Sequence, residues 1–143
     1  MRVVRTEDLK LVARLDREIF PHDVSLADDE LEGGVWWVVR NGKEAVAFAG
    51  LDPFGKTPGT ATFLRAGVLQ AWRGRGLQKR LIDARLRWAR RHGYAGADTY
   101  TSTMNIPSQR SLIARGFAPV RYEFDGESGW IYFNVTFRHT APL

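Results

Sequence analysis

The sequence predicts an α/β (α+β) fold: a mixed sheet built mainly from antiparallel pairs, with one parallel strand pair joined by a long helix. Three observations predict it. Asn41-Gly42 separates two apolar runs, Val35–Arg40 and Ala45–Leu51, and marks a tight hairpin. Thr60–Leu69, a helix-periodic stretch from about Gly76 to His92, and Ala97–Ser102 follow in strand, helix, strand order. A crossover of that kind joins parallel strands and turns right-handed. Phe117–Phe124 and Trp130–Phe137 read as a closing antiparallel hairpin.

Taken in order, Arg2–Arg5 is a short strand. Thr6 is placed to cap a helix running through Phe20, with Val12, Leu15 and Ile19 as its apolar stripe and Pro21 as its stop. A short helix is expected over Leu26–Leu31, ended by Gly33-Gly34. In the strand that follows, one of Trp36 and Trp37 is expected to face the core. Asp52–Gly59 is a Pro/Gly loop. The central helix carries Leu77, Leu81, Ala84 and Trp88 on one stripe, widened by Ile82, Leu86 and Ala89, and ends at Gly93. Arg80, Arg87, Arg90 and Arg91 share its polar face. Asn105 caps a further helix, with Pro107 in its first turn and Gly116 beyond its end.

A chain of 143 residues, 44% hydrophobic and 26% charged, reads as one soluble globular domain. No apolar run is long enough to span a bilayer, and Met1–Glu7 leads into a charged segment rather than a secretory signal, so no membrane partner is expected. The absence of cysteine excludes disulfides, a thiolate zinc site and a cysteine nucleophile, and fits a reducing, cytoplasmic compartment. His22, His92 and His139 are scattered and make neither a metal site nor a catalytic triad. Lys+Arg 21 against Asp+Glu 16 gives a net charge of +5, which favours anionic partners.

The chemistry concentrates in Val68 through Lys79. An apolar strand passes into a periodic helix through the basic loop Arg73-Gly74-Arg75-Gly76. Gly74 and Gly76 remove side chains where a ligand approaches the backbone. The helix start offers free N–H groups and the positive end of its dipole. Arg73, Arg75 and Lys79 add positive charge, and together these make a receptor for a diphosphate.

Val68 through Gln78, with Asn105 and Gly116-Phe117, resembles the GCN5-related N-acetyltransferase (GNAT) family: a valine near a strand end, Arg/Gln-x-x-Gly-x-Gly/Ala, then Asn, a helix and Gly-Phe. The resemblance implies one acyl-CoA N-acyltransferase domain over residues 1–143, with a mostly antiparallel sheet, helices on both faces and a parallel pair that splays. The implied co-substrate is acetyl-CoA, with no metal. Arg73, Gly74, Arg75, Gly76, Leu77, Gln78 and Lys79 would hold its phosphates. The strand edge at Gly67, Val68 and Leu69 would pair with the pantetheine, and Asn105 and Ser108 would contact the same arm. Gly67 suits the bulge that opens the strands. An N–H near Gly67 or Val68 would stabilise the oxyanion.

Gln78, Leu112 and Tyr100 depart from the family pattern. Gln78 replaces a usual Gly or Ala but still contributes its N–H. Leu112 stands where many members carry the tyrosine that protonates the leaving thiolate. Tyr100 stands where members that acetylate protein N-termini carry a glutamate. Strand alternation places Asp98, Tyr100 and Ser102 on one face, and Tyr100 is the candidate to orient water or substrate; a phenol is a poor base near neutrality. Val68, Tyr100 and Asn105 are therefore the candidate catalytic residues. His22-Asp23 borders the acceptor region of the family, although a plain helix-ending loop accounts for it as well.

The leading expectation is acetyl transfer from acetyl-CoA to a primary amine by direct attack in a ternary complex. A degenerate acyl-CoA-binding regulatory module would bind without turnover. A basic nucleic-acid-binding protein would use Trp36, Trp37, Trp72 and Trp130 for stacking, and is less favoured. The acceptor's identity and a homodimer are left open.

Overall fold

The computed structural model describes residues 1–138; the expectation for His139 lies outside them. The elements are β1 (Arg2–Thr6), α1 (Leu9–Ile19), α2 (Asp28–Gly33), β2 (Val35–Asn41), β3 (Glu44–Asp52), β4 (Thr60–Val68), α3 (Leu77–Arg91), β5 (Gly96–Ser102), α4 (Ile106–Ala114), β6 (Ala118–Asp125) and β7 (Ser128–Thr136). A 3₁₀ turn at Gln70–Trp72 links β4 to the loop before α3. The seven strands form one sheet in the order β1-β2-β3-β4-β5-β7-β6. Among the described residues only β4 and β5 pair in parallel, and every other neighbouring pair is antiparallel.

The sheet carries an apolar layer on each face. α3 lays Leu77, Leu81, Ile82, Leu86 and Ala89 against Phe63, Val68, Ala97 and Phe133. On the other face α1 and α2 bury Val12, Leu15 and Leu31 against Trp36, Val38 and Phe48. β2 is thus covered on both sides, and the expectation that one tryptophan alone turns inward is corrected. Trp36 is 1% exposed and Trp37 4%, on opposite faces.

Two boundaries move for identifiable reasons. Thr6 does not cap α1, because it is held extended in β1 opposite Trp36. Asp8 is the cap, its carboxylate accepting the Leu11 N–H at 3.1 Å. α2 begins at Asp28 rather than Leu26, because Ala27 is extended (φ −72°, ψ 154°) and is the N-cap, its N–H donated to the Glu30 carboxylate at 3.1 Å.

β4 and β5 pair only at residues 60–62 with 96–98. Beyond them the strands part, and β4 keeps an open edge along residues 63–68. On its other edge β4 carries a bulge: Ala49 faces Ala66 and Leu51 faces Phe63, so Leu64 and Arg65 together oppose Gly50. The bulge expected at Gly67 is therefore corrected, since Gly67 sits in register with Phe48. Glycine is required there for another reason. A Cβ would lie 2.7 Å from both Ile19 Cγ2 and Phe20 Cε2.

Candidate active site

Val68 ends β4 at the mouth of the split. The next residue, Leu69, donates its N–H to Val46 of β3 at 2.9 Å. Peptide groups alternate in direction along a strand, so the N–H and C=O of Val68 turn away from β3 and into the split. The carbonyl accepts Arg73 Nε at 3.1 Å. Gly67 and Leu69 turn their N–H groups towards β3, so between Gly67 and Val68 only Val68 presents an N–H to the opening.

The loop beyond is shaped by two left-handed glycines, Gly74 at φ +77° and Gly76 at φ +76°. Gly76 is the N-cap of α3 and supplies no side-chain acceptor. The first N–H of the helix to find a partner is that of Arg80, which donates to the Gly76 carbonyl at 3.2 Å. The N–H groups of Leu77, Gln78 and Lys79 precede it and point out of the helix start. Arg73, Arg75 and Lys79 stand exposed around them. Arg75 lies over the Trp72 ring at 4.6 Å, which steadies the guanidinium beside the loop. Free N–H groups, a helix dipole and three cations suit a diphosphate.

Asn105 and Ser108 lie across the split at the start of α4. Asn105 Oδ1 accepts the Ser108 N–H at 3.2 Å, so it caps the helix and keeps its amide donors free. Gln109 ties that turn to β5 through the Ser102 and Thr103 carbonyls at 3.1 and 3.0 Å. Leu112 is buried in the core, and Phe117 packs on Phe63 with ring centroids 5.5 Å apart.

Tyr100 lies just past the last residues of β5 that pair with β4 and is 54% exposed. Opposite it on β7 is Tyr132, and Trp130 follows; their rings sit 5.6 and 5.5 Å from that of Tyr100. Thr101, Ile131 and Phe133 alternate with these rings and face α3. The three rings therefore line the opposite face, the one that carries α1 and α2. The Tyr132 hydroxyl donates to Glu123 at 3.1 Å, which raises its pKa above the ordinary phenol value. Asp98 accepts a short hydrogen bond from the Thr62 hydroxyl at 2.5 Å, closing the narrow end of the split. His22 and Asp23 are exposed in the segment after α1.

Trp130 did not emerge from the sequence as part of this face, because the hairpin register alone brings it beside Tyr100. Asp16, Arg65 and Arg85 were missed as well. Asp16 and Arg85 carry one legible signal: each is a charged residue inside an apolar helical stripe. Arg85 is 3% exposed and, among the described residues, has no carboxylate partner. It donates to the Leu81, Gly50 and Leu64 carbonyls at 3.2, 3.3 and 3.4 Å and stacks on Phe63 at 4.0 Å. It thus holds the β4 bulge from the α3 side. Burial pulls its pKa well below the ordinary guanidinium value, to about 9.

A family model described as "Acetyltransferase (GNAT) family" matches residues 7–117. The chain belongs to the GNAT acetyltransferase family. Solved GNAT structures share its fold. A Bacillus subtilis acetyltransferase in complex with CoA aligns at TM-score 0.81 and 16% identity, over 96% of this chain and 99% of that one. The ribosomal-protein-S18-alanine N-acetyltransferase of Escherichia coli aligns at TM-score 0.80 and 14% identity, over 98% and 96% of the two chains. N-acetyltransferase 8B of Rattus norvegicus is 31% identical over 88 residues, 59% of this chain. This chain spans about two fifths of that relative's length, the match covering 40% of it. Among the described residues of this GNAT chain, no helix is long and apolar enough to cross a membrane.

Proposed function

We propose that the chain transfers the acetyl group of acetyl-CoA to a primary amine by direct attack in a ternary complex. The observation that carries this reading is the Val68 N–H, turned into a split between parallel strands that opens onto the loop before α3. The residue 74–79 N–H groups and Arg73, Arg75 and Lys79 suit the diphosphate, and the open edge of β4 suits an extended amide-bearing arm. Asn105 and Ser108 flank that arm from α4. Gly67 contributes by lacking a side chain, and Leu69 by lining.

The chemistry then follows from geometry. The diphosphate lies on the α3 side, so the amine arrives from the face bearing Phe20, Tyr100 and Trp130. Its nitrogen bonds to the thioester carbon while the Val68 N–H stabilises the charge on oxygen. The carbon–sulfur bond breaks, and the proton lost by nitrogen passes through water to the departing sulfur. Tyr100 orients that water through its hydroxyl. Leu112 supplies no proton, so rate rests chiefly on positioning and the backbone donor.

Calorimetric titration with acetyl-CoA, followed by thiol release across a panel of amines, tests this. Saturable binding with amine-dependent release supports it. Binding without release under any amine marks a module that holds acyl-CoA without catalysis. No binding by the folded protein overturns it.

A further inference from the structure

We propose that Asp16 and Arg65 form a positioning pair that locks the segment after α1 into a wall over Gly67 and Val68, on the face opposite α3. Its catalytic meaning rests on the reading that Val68 marks the reaction centre.

The β4 bulge makes the pair geometrically available. Phe63 and Ala66 both pack with the α3-side core, whereas Leu64 packs with the α1-side core. With one extra residue between them, Leu64 and Arg65 both turn towards α1. In regular alternation Arg65 would point the other way.

Arg65 then reaches a carboxylate that the fold has withdrawn from water. Asp16 is 2% exposed, and both of its oxygens are engaged. Oδ1 accepts Arg65 Nη1 at 2.8 Å, and Oδ2 accepts the Leu26 N–H at 3.0 Å. The same Nη1 donates to the Val24 carbonyl at 3.0 Å, and the guanidinium lies 5.0 Å from the Phe20 ring centroid. One ion pair thus fixes Phe20, Val24 and Leu26 together. Residues 21–25 between them are all exposed and have no burial of their own to hold them.

What the pair holds is placed over the split. Ile19 and Phe20 occupy the space that a Gly67 side chain would fill. Phe20 is therefore a wall one residue from the Val68 N–H, and residues 21–25 extend it. Fixing this wall limits the access of water to the thioester and defines one side of the acceptor's approach. Stability alone is a poor reason for such a pair, since apolar replacement of a buried ion pair is often neutral or stabilising.

The test is a double variant, Asp16→Leu with Arg65→Met, beside wild type and Arg65→Lys. Removing both charges together avoids leaving one buried and unpaired, so the double variant folds, while the Leu26 N–H and the Val24 carbonyl lose their partners and are left to water in the released segment. Three readouts follow: acetyl-CoA affinity by calorimetry, amide exchange at Leu26, and amine-independent release of CoA from acetyl-CoA. The double variant keeps its acetyl-CoA affinity within about twofold, exchanges the Leu26 amide at least about a hundredfold faster, and hydrolyses acetyl-CoA about tenfold faster. Arg65→Lys restores hydrolysis towards the wild-type rate. Faster exchange with no rise in hydrolysis overturns the positioning role and leaves a purely structural pair. Unchanged exchange overturns the lock itself. If wild-type protein fails to bind acetyl-CoA, the proposed reaction falls and takes the catalytic role with it, while the exchange result still decides whether the pair holds the segment.

Discussion

Gly76 shows how one residue governs the loop before α3. Its φ of +76° costs an L-residue about 1–2 kcal/mol, and nothing lies within 4 Å of where a Cβ would stand. A side chain there would stand in open space beside the α3 N-terminus, where the diphosphate is proposed to lie. Gly76→Glu therefore adds strain, bulk and a like charge at once, and is expected to weaken CoA binding by more than about tenfold in calorimetry on the folded variant. Unchanged affinity would move the phosphates elsewhere. Tyr100 gives the complementary case. Tyr100→Phe keeps the ring contacts to Trp130 and Tyr132 and removes only the hydroxyl. Turnover is expected to fall about tenfold with acetyl-CoA affinity unchanged, because the hydroxyl is proposed to serve proton relay rather than binding. Equal rates would leave Tyr100 as a packing residue. Some of this was legible and some was not. Gly74 and Gly76 announce themselves in the chain, since a glycine pair between a strand and a helix has few other uses. Gly67 also drew notice, but its reason was hidden: no local pattern tells that Ile19 and Phe20 come to rest on it.

At the scale of elements, α3 was the most legible and β4 the least. The helix follows from a sustained apolar period and a terminal glycine, both local properties. The bulge and the split of β4 depend on what its neighbours do. Arg85 joins the two elements and allows a quantitative prediction. Burying its charge without a carboxylate costs several kcal/mol. Stripping the Gly50 and Leu64 carbonyls of their donor would cost about 1–3 kcal/mol each. The two sums are of similar size, so Arg85→Met is expected to shift stability by less than about 2 kcal/mol in denaturant unfolding. Arg85→Ala, which also empties volume beside Phe63, is expected to cost about 2–5 kcal/mol. The pH dependence carries the sign of the pKa shift. Below about 9 both folded and unfolded chains hold the Arg85 proton, so the group adds no slope. Between about 9 and the ordinary guanidinium value the unfolded chain binds the proton more tightly, and stability from this group rises with pH. The wild-type minus Arg85→Met difference should stay flat from pH 6 to 8 and grow in favour of wild type above pH 9, as followed by denaturant midpoints. A slope near neutrality would show that another group titrates with it.

For the whole molecule, the net charge of +5 is compatible with either a phosphorylated co-substrate or a nucleic acid, and binding linkage separates them. A ligand present at a hundred times its Kd stabilises the native state by about 2.7 kcal/mol. For a chain of this size that amounts to a rise in Tm of roughly 5–10 °C, readable by scanning calorimetry with acetyl-CoA. RNA binding through the basic surface would instead weaken steeply with salt and ignore CoA. The sequence by itself determined the order of elements, the glycine-shaped loop before α3 and the family, because each rests on spacing along the chain. Only the tertiary structure decided which N–H enters the split, why Gly67 lacks a side chain, and that Asp16 meets Arg65 across 49 residues. Those facts follow from strand register, a bulge and close approach between distant elements, and local sequence carries no record of where distant elements meet.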